Sequence, residues 1–327
     1  MRRAAAAPSR LGAKGIAALG LAAAGWLIAS TFGVARAQQT QPGTPDAPPA
    51  ATEPSAAEDA SARELVIARP RYQAGQIYLY GREIRHQLNV SIHIDGRPFD
   101  RLEQTQRSVA RTRATIQEVD ANGAVVRAEF LVPTRLVVRT TQGGPERSEE
   151  SPMTGRTYIA TVGEGGAVTI ALRGDGEVNA VEADAIRDEF EVLRQGSPLA
   201  RFLAEQPRAV GEEISLDPAL AQGLLAGAGG LVVQSFHVTP TRYGRTDSET
   251  PERIAIYRVR TQLAGDLVAG LAASLTLEGD LHIRTSDGKV LGLQLRGNLS
   301  MSVEQAHGDH RMQLGGTGAA SVSLTVN

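Results

Sequence analysis

The sequence predicts an α+β domain that is mostly β: a curved antiparallel sheet or half-barrel covered by a central helical insert. Three observations carry that expectation. The last hundred residues alternate apolar and polar side chains over long runs, the two-residue period of strands with one wet face. A stretch in the middle changes to steps of three and four, the period of a helix. Strands precede that stretch as well as follow it, so sheet and helices belong to one packed unit.

Folded sequence begins near Leu65. Leu88, Val90, Ile92 and Ile94 alternate with Asn89, Ser91 and His93, as in a half-buried strand. Arg107 to Val119 reads as a second strand, turned at Asp120-Ala121-Asn122-Gly123, and Val125 to Val132 returns. Asn-Gly between two apolar runs is a strong short hairpin signal. Further strands are expected at Arg135–Thr141, Thr157–Val162 and Ala167–Leu172. A polar loop opening with Gln142-Gly143-Gly144-Pro145 separates the first two, and a turn at Gly163–Gly166 the last two.

The middle then becomes helical. Ala183, Ile186, Phe190 and Leu193 share one helix face, which stops at Gly196. Ser197-Pro198 reads as an N-cap with proline in the first turn, opening a short helix with Leu199, Phe202 and Leu203. Asp217-Pro218 repeats the signal before Leu220, Leu224 and Leu225, with Gly227, Gly229 and Gly230 as its end. The helical segment is thus expected over about 180–226. Glu182, Asp184, Asp188, Glu189 and Glu191 give it an acidic side, read as a solvated face.

After it, Leu271, Ala273, Leu275, Leu277, Leu281 and Ile283 share one strand face. Ser274, Thr276, Glu278, Asp280 and His282 share the other. Ser286-Asp287-Gly288 turns the chain into Leu291, Leu293, Leu295, Leu299, Met301 and Val303. A turn near His307-Gly308-Asp309 leads to Ala320, Val322, Leu324 and Val326.

Ahead of the folded part, residues 1–37 read as an export signal. Arg2, Arg3, Arg10 and Lys14 form a positive leader, an apolar run follows from about Gly15 to Val34, and Ala35-Arg36-Ala37 supplies the small residues of a cleavage site. An uncleaved anchor is the rival reading, because the run is close to a bilayer span. Its Ala and Gly content and the Ala35/Ala37 pattern favour cleavage. Residues 38–62 hold Pro42, Pro45, Pro48, Pro49 and Pro54 and hardly any large apolar side chain, so they read as a disordered linker. The expected domains are therefore 1–37 signal, 38–62 linker and 63–327 one β-rich domain. The expected address is the periplasm, cell surface or extracellular space.

Composition narrows function by exclusion. No cysteine occurs, which excludes a lipid anchor on cysteine, disulfides and thiolate metal sites. Roughly 290 residues beyond the leader suffice to bury a core without such staples. The chain holds 34 Lys+Arg against 36 Asp+Glu, and five of those bases lie in the leader. The remainder is acidic, which argues against nucleic acid as a partner.

No catalytic motif emerges. A Gly-x-Ser-x-Gly elbow is absent, and no cofactor is implied. His307 and His310 beside Glu304 and Asp309 read as a solvated turn rather than a metal site. His86 and His93 have opposite strand parity and face apart. Arg173-Gly174-Asp175 reads as a turn.

The apolar strand face admits three readings: a core packed on the helices, a cleft for a lipid or other apolar ligand, or the wall of a membrane β-barrel. The 4% aromatic content, too low for aromatic girdles, and the non-aromatic Asn327 count against the last. If a ligand binds, the expected contacts are Ile186, Phe190 and Leu193 from the helix and Leu275, Leu277, Leu293 and Leu295 from the sheet. The favoured function is a non-enzymatic envelope protein that binds an apolar ligand or another envelope component. The alternative is a structural or protein-interaction module held on its linker.

Two stretches carry a resemblance. Tyr72-Gln73-Ala74-Gly75-Gln76-Ile77-Tyr78 resembles the opening strand of an uncharacterised family of exported bacterial β-rich proteins, in which a Gly-x-x-Tyr pattern leads the domain. Pro207-Arg208-Ala209-Val210-Gly211-Glu212-Glu213-Ile214 resembles that family's mid-chain segment, with Ile214 where the family has tryptophan. The order of strands, helices and strands over 65–327 is also similar to the half-barrel lipoprotein-localisation carriers. The resemblance implies a fold and an exported address; it assigns no functional residue.

Overall fold

The computed structural model describes residues 63–69, 71–142, 144–219, 225, 231–246, 251–266, 271–307 and 310–327. The expected leader with Ala35 and Ala37, the expected linker, Leu220, Leu224 and the expected turn at Gly308-Asp309 lie outside the described residues.

A short strand β1 (Glu64–Leu65) is followed by β2 (Ile77–Ile94), β3 (Arg97–Val119), β4 (Val125–Thr141), β5 (Arg147–Glu150), β6 (Thr157–Val162) and β7 (Val168–Leu172). Helices α1 (Ala180–Gln195) and α2 (Pro198–Leu203) follow, then the short β8 (Arg208–Ala209) and β9 (Ile214–Leu216). Five long strands complete the chain: β10 (Val232–Arg245), β11 (Arg253–Asp266), β12 (Ala272–Arg284), β13 (Val290–His307) and β14 (His310–Val326).

Twelve strands form one antiparallel sheet, ordered β7-β6-β4-β3-β2-β14-β13-β12-β11-β10-β9 with β5 on the flank of β4. Two meanders meet where β14 pairs with β2, at His86 opposite Ala320. The described strands leave β7 and β9 as edges, so the sheet is a curved open half-barrel and not a closed barrel. Among the described residues no helix is long and apolar enough to cross a membrane.

Curvature is written into glycines. Gly279, Gly297 and Gly318 take inward positions on β12, β13 and β14, and the register places them along one diagonal: Gly279 faces Leu295, Gly297 faces Leu277 and Ala320, and Gly318 faces Leu299. A Cβ at Gly297 would overlap the Thr276 carbonyl oxygen and stand 2.7 Å from its carbon. Neighbouring backbones therefore approach over these positions as closely as glycine alone allows, which lets a sheet of long strands coil.

Several expectations hold at residue level. β6 spans Thr157–Val162, as the alternation indicates. The Asp120–Gly123 turn is built on the Asp120 carboxylate, whose Oδ1 accepts from the amides of Asn122 at 2.8 Å and Ala124 at 2.9 Å. Others are revised. β4 runs unbroken through Pro133, because the register shifts there between Arg111 and Arg113 of β3 and the proline falls in the bulge, where no ladder donor is needed. The helical segment is interrupted after Leu203: Arg208–Ala209 pairs with β1, and Ile214–Leu216 pairs with β10. Helix resumes at Pro218-Ala219, as the Asp217-Pro218 signal indicates, with the Asp217 Oδ1 accepting from the Ala219 amide at 2.9 Å; residues 220–224 lie outside the described residues.

The acidic side of α1 is also not uniformly solvated. Glu182 is 2% exposed and lies 2.6 Å from Arg156 Nη1. Asp184, by contrast, is exposed and pairs with Arg187.

Two apolar clusters fill the interior. Beneath α1, Ile186, Phe190 and Leu193 pack with Ile116, Phe130 and Tyr158 from β3, β4 and β6. The Phe130 and Phe190 rings meet edge to face at 6.2 Å. Beneath α2, Leu199 and Leu203 join Phe236, Tyr257, Leu275, Leu277, Leu293 and Leu295 in a larger cluster spanning β9 to β14 and β2.

Candidate functional site

The seven residues expected to line an apolar site are all buried on the concave face, but the structure does not bring them into one group. Ile186, Phe190 and Leu193 belong to the α1 cluster. Leu275, Leu277, Leu293 and Leu295 belong to the α2 cluster. Leu324 packs against both.

A polar seam on the inner face of β2, β3 and β4 separates the two floors. Strand parity places Tyr80, Arg82 and His86 of β2 on the same face as Tyr78 and Ile84. Register then sets Tyr80 beside Thr112, Arg82 beside Ala110, and His86 beside Gln106. One strand further, Ala110 faces Arg135 and Gln106 faces Arg139. α1 contributes Glu189, whose Oε2 is sealed from solvent.

The electrostatics follow from that placement. Burial raises the Glu189 carboxyl, while Arg135, Arg82 and a hydrogen bond with Thr112 pull it back toward ionisation. Burial lowers Arg82, opposed by Glu189. Burial raises the Tyr80 phenol and lowers the His86 imidazole. On the flank, Arg139 bonds Glu149 at 3.1 Å and Gln106 at 3.4 Å.

Beside Arg82 and Arg135, with Ser108 and Glu149, lies a cavity of about 20 Å³. That is room for about one water, not for an acyl chain. A broader open cleft of about 750 Å³ crosses five strands at Asn89, Thr317, Ser300, Ser274 and Ala264 and is lined by none of the seven expected residues.

An aromatic row extends the seam toward the β12–β13 turn. Tyr72 meets Tyr78 edge to face at 5.9 Å, Tyr78 stacks with Tyr80 at 6.2 Å, and Lys289 Nζ sits 3.9 Å from the Tyr78 ring centroid. Burial, with Arg284 adding repulsion, lowers Lys289 to about 8. Arg284 itself is held by Glu252 and Asp287, each at 2.8 Å.

The seam partitions the concave face and gives it a charged divider. Among the described residues no group of three or more His, Asp and Glu side chains is placed to hold a metal ion. His310 points at Asp95, 2.7 Å away across a hairpin junction. The seam was legible in part: Arg82, His86 and Thr112 share parity with buried apolar neighbours, and a charged residue at an inward position is a signal of its own.

No family model matches the chain, and no curated protein matches it. Among solved structures, a structure titled "Lipid-protein interactions in lipovitellin" aligns over 79% of this chain and 25% of its own length, with 8% identity and a TM-score of 0.35. The InvG secretin β-barrel domain from Salmonella aligns over 78% of this chain and 63% of its own length, with 7% identity and a TM-score of 0.11. The chain therefore spans about a quarter of the lipovitellin chain, and likenesses at these scores carry no argument about function.

Proposed function

We propose that this is a non-enzymatic, exported cell-envelope protein that binds an apolar ligand, a lipid or lipid-bearing partner, on its concave sheet beneath α2. The supporting observation is the make-up of that cover. α2 has six residues, far too few to be stable alone, and is held by burying Leu199, Ala200 and Leu203 on the leucine floor. Such a short element opens at low cost relative to the long strands below it. An acyl chain replacing it would meet Leu275, Leu277, Leu293 and Leu295. α1 is longer and capped, with the Asn179 side chain accepting from the Glu182 amide at 2.9 Å, and serves as the fixed wall.

Native mass spectrometry of the protein released from the envelope without detergent tests this reading. A lipid-sized adduct is the expected result. A bare mass in every preparation, with no lipid in an organic extract, overturns it.

A second reading has one observation in its favour. The interior of the described part is packed by its own side chains, as a structural or protein-interaction module would be. A bare mass, together with a stable complex with another envelope protein that survives gel filtration, would select it.

A further inference from the structure

Arg208, in β8, is 6% exposed, a rare setting for an arginine. Its Nη2 donates to the Phe202 carbonyl oxygen at 3.0 Å, and the guanidinium lies 4.6 Å from the Phe202 ring centroid. Nε is sealed from solvent and has no acceptor. No carboxylate among the described residues lies within ion-pair distance of it. Tyr257, 0% exposed, has its Oη equally sealed and unpartnered. It is the register partner of Pro240, whose carbonyl accepts from the Gly211 amide at 2.8 Å, three residues beyond Arg208. The Arg208 charge reaches that phenol, pulling its pKa down against the rise that burial causes.

A buried guanidinium normally has a counter-ion, because desolvating it alone costs several kcal/mol. A carbonyl at the end of a six-residue helix supplies one acceptor for five N–H donors. What is missing is an oxyanion. A carboxylate or phosphate would take the Nε donor and the Tyr257 hydroxyl together, the charge-assisted geometry arginine favours. The pair stands at the margin of the leucine floor, since Tyr257 and Leu203 belong to the same cluster as Leu275 and Leu293.

We propose that Arg208 and Tyr257 form a binding site for an anionic oxygen group, and that the ligand of this protein is an amphiphile bearing that group on its apolar chain. The proposal rests on the apolar-ligand reading for the chain, but not for the oxyanion.

Calorimetric titration of the full chain with oleate, monoolein and inorganic phosphate separates these parts. Oleate is expected to bind about tenfold or more tighter than neutral monoolein. Arg208→Gln should bring oleate down to the monoolein level and leave monoolein unchanged, and Tyr257→Phe should cost oleate several-fold. Equal binding of the two lipids, or oleate binding unaltered in both variants, overturns the anion site while leaving an apolar ligand in place. If neither lipid binds, the apolar-ligand reading fails; phosphate binding lost in Arg208→Gln then supports a free oxyanion as the occupant, and its absence overturns the site as well. Thermal melts check that each variant folds, and Tyr257→Phe carries the test if Arg208→Gln does not.

Discussion

Replacing Gly297 by alanine tests whether the glycine diagonal sets the coil of the sheet. The added Cβ would overlap the Thr276 carbonyl oxygen, stand 2.7 Å from the Thr276 carbon and 3.0 Å from the Leu277 Cα. Carbon atoms rest at about 3.5–4 Å, so β12 and β13 must part by about 1 Å at this point. β13 is held on both sides, by β12 and by β14, and cannot turn away. Overpacking of a fixed core costs about 1–3 kcal/mol, and a backbone obstacle belongs at the upper end, about 3 kcal/mol. Gly315→Ala is the matched control: its Cβ would meet only Ser91 Oγ at 3.8 Å, an ordinary contact. Alanine there should be neutral, or stabilise by about 0.5 kcal/mol through backbone entropy. Urea unfolding followed by far-ultraviolet circular dichroism reads both variants, since the single tryptophan, Trp26, lies outside the described residues. Coincident midpoints for Gly297→Ala and Gly315→Ala would refute the account of curvature.

Three further outcomes follow from the packing and charges. Phe190→Ala removes a fully buried ring from the α1 cluster and should cost about 3–5 kcal/mol in the same urea assay. Glu182→Gln breaks the ion pair with Arg156 at a residue 2% exposed, and is expected to destabilise by about 3 kcal/mol; an unchanged midpoint would show that the pair carries no weight. Lys289 has a folded pKa of about 8, below its unfolded value, so the native state sheds its proton first and stability should rise with pH between about 8 and 10. Lys289→Met should flatten that rise relative to the parent chain in pH-dependent melts.

Alternation revealed the strands wherever parity is unbroken, and failed where bulges reset it. In β10 the buried side chains run Val233, then Phe236, Val238 and Pro240, then Tyr243, because register shifts after Val233 and Pro240 each flip the parity. That is why β10 could not be read as a single alternating run. The hairpin joining β2 to β3 turns at Asp95-Gly96, with φ of 50° and 75°, a two-residue turn that its Asp-Gly sequence suits. Asp217-Pro218 does open a helical turn, but the strands at Arg208–Ala209 and Ile214–Leu216 before it were not legible, because local capping chemistry cannot register pairing with distant residues. Arg208 was invisible for a related reason: a two-residue strand has no period, and its strand partner, Leu65 of β1, is far away in sequence.

The measurement that bears most directly on the central claim is hydrogen exchange of the full chain with and without bound oleate. If an amphiphile takes the place of α2 on the leucine floor, amides of Leu199–Leu203 should exchange faster in the loaded protein while β12 and β13 keep their protection. Binding that leaves α2 unchanged, or that alters only the open cleft around Ser274 and Ser300, would contradict it.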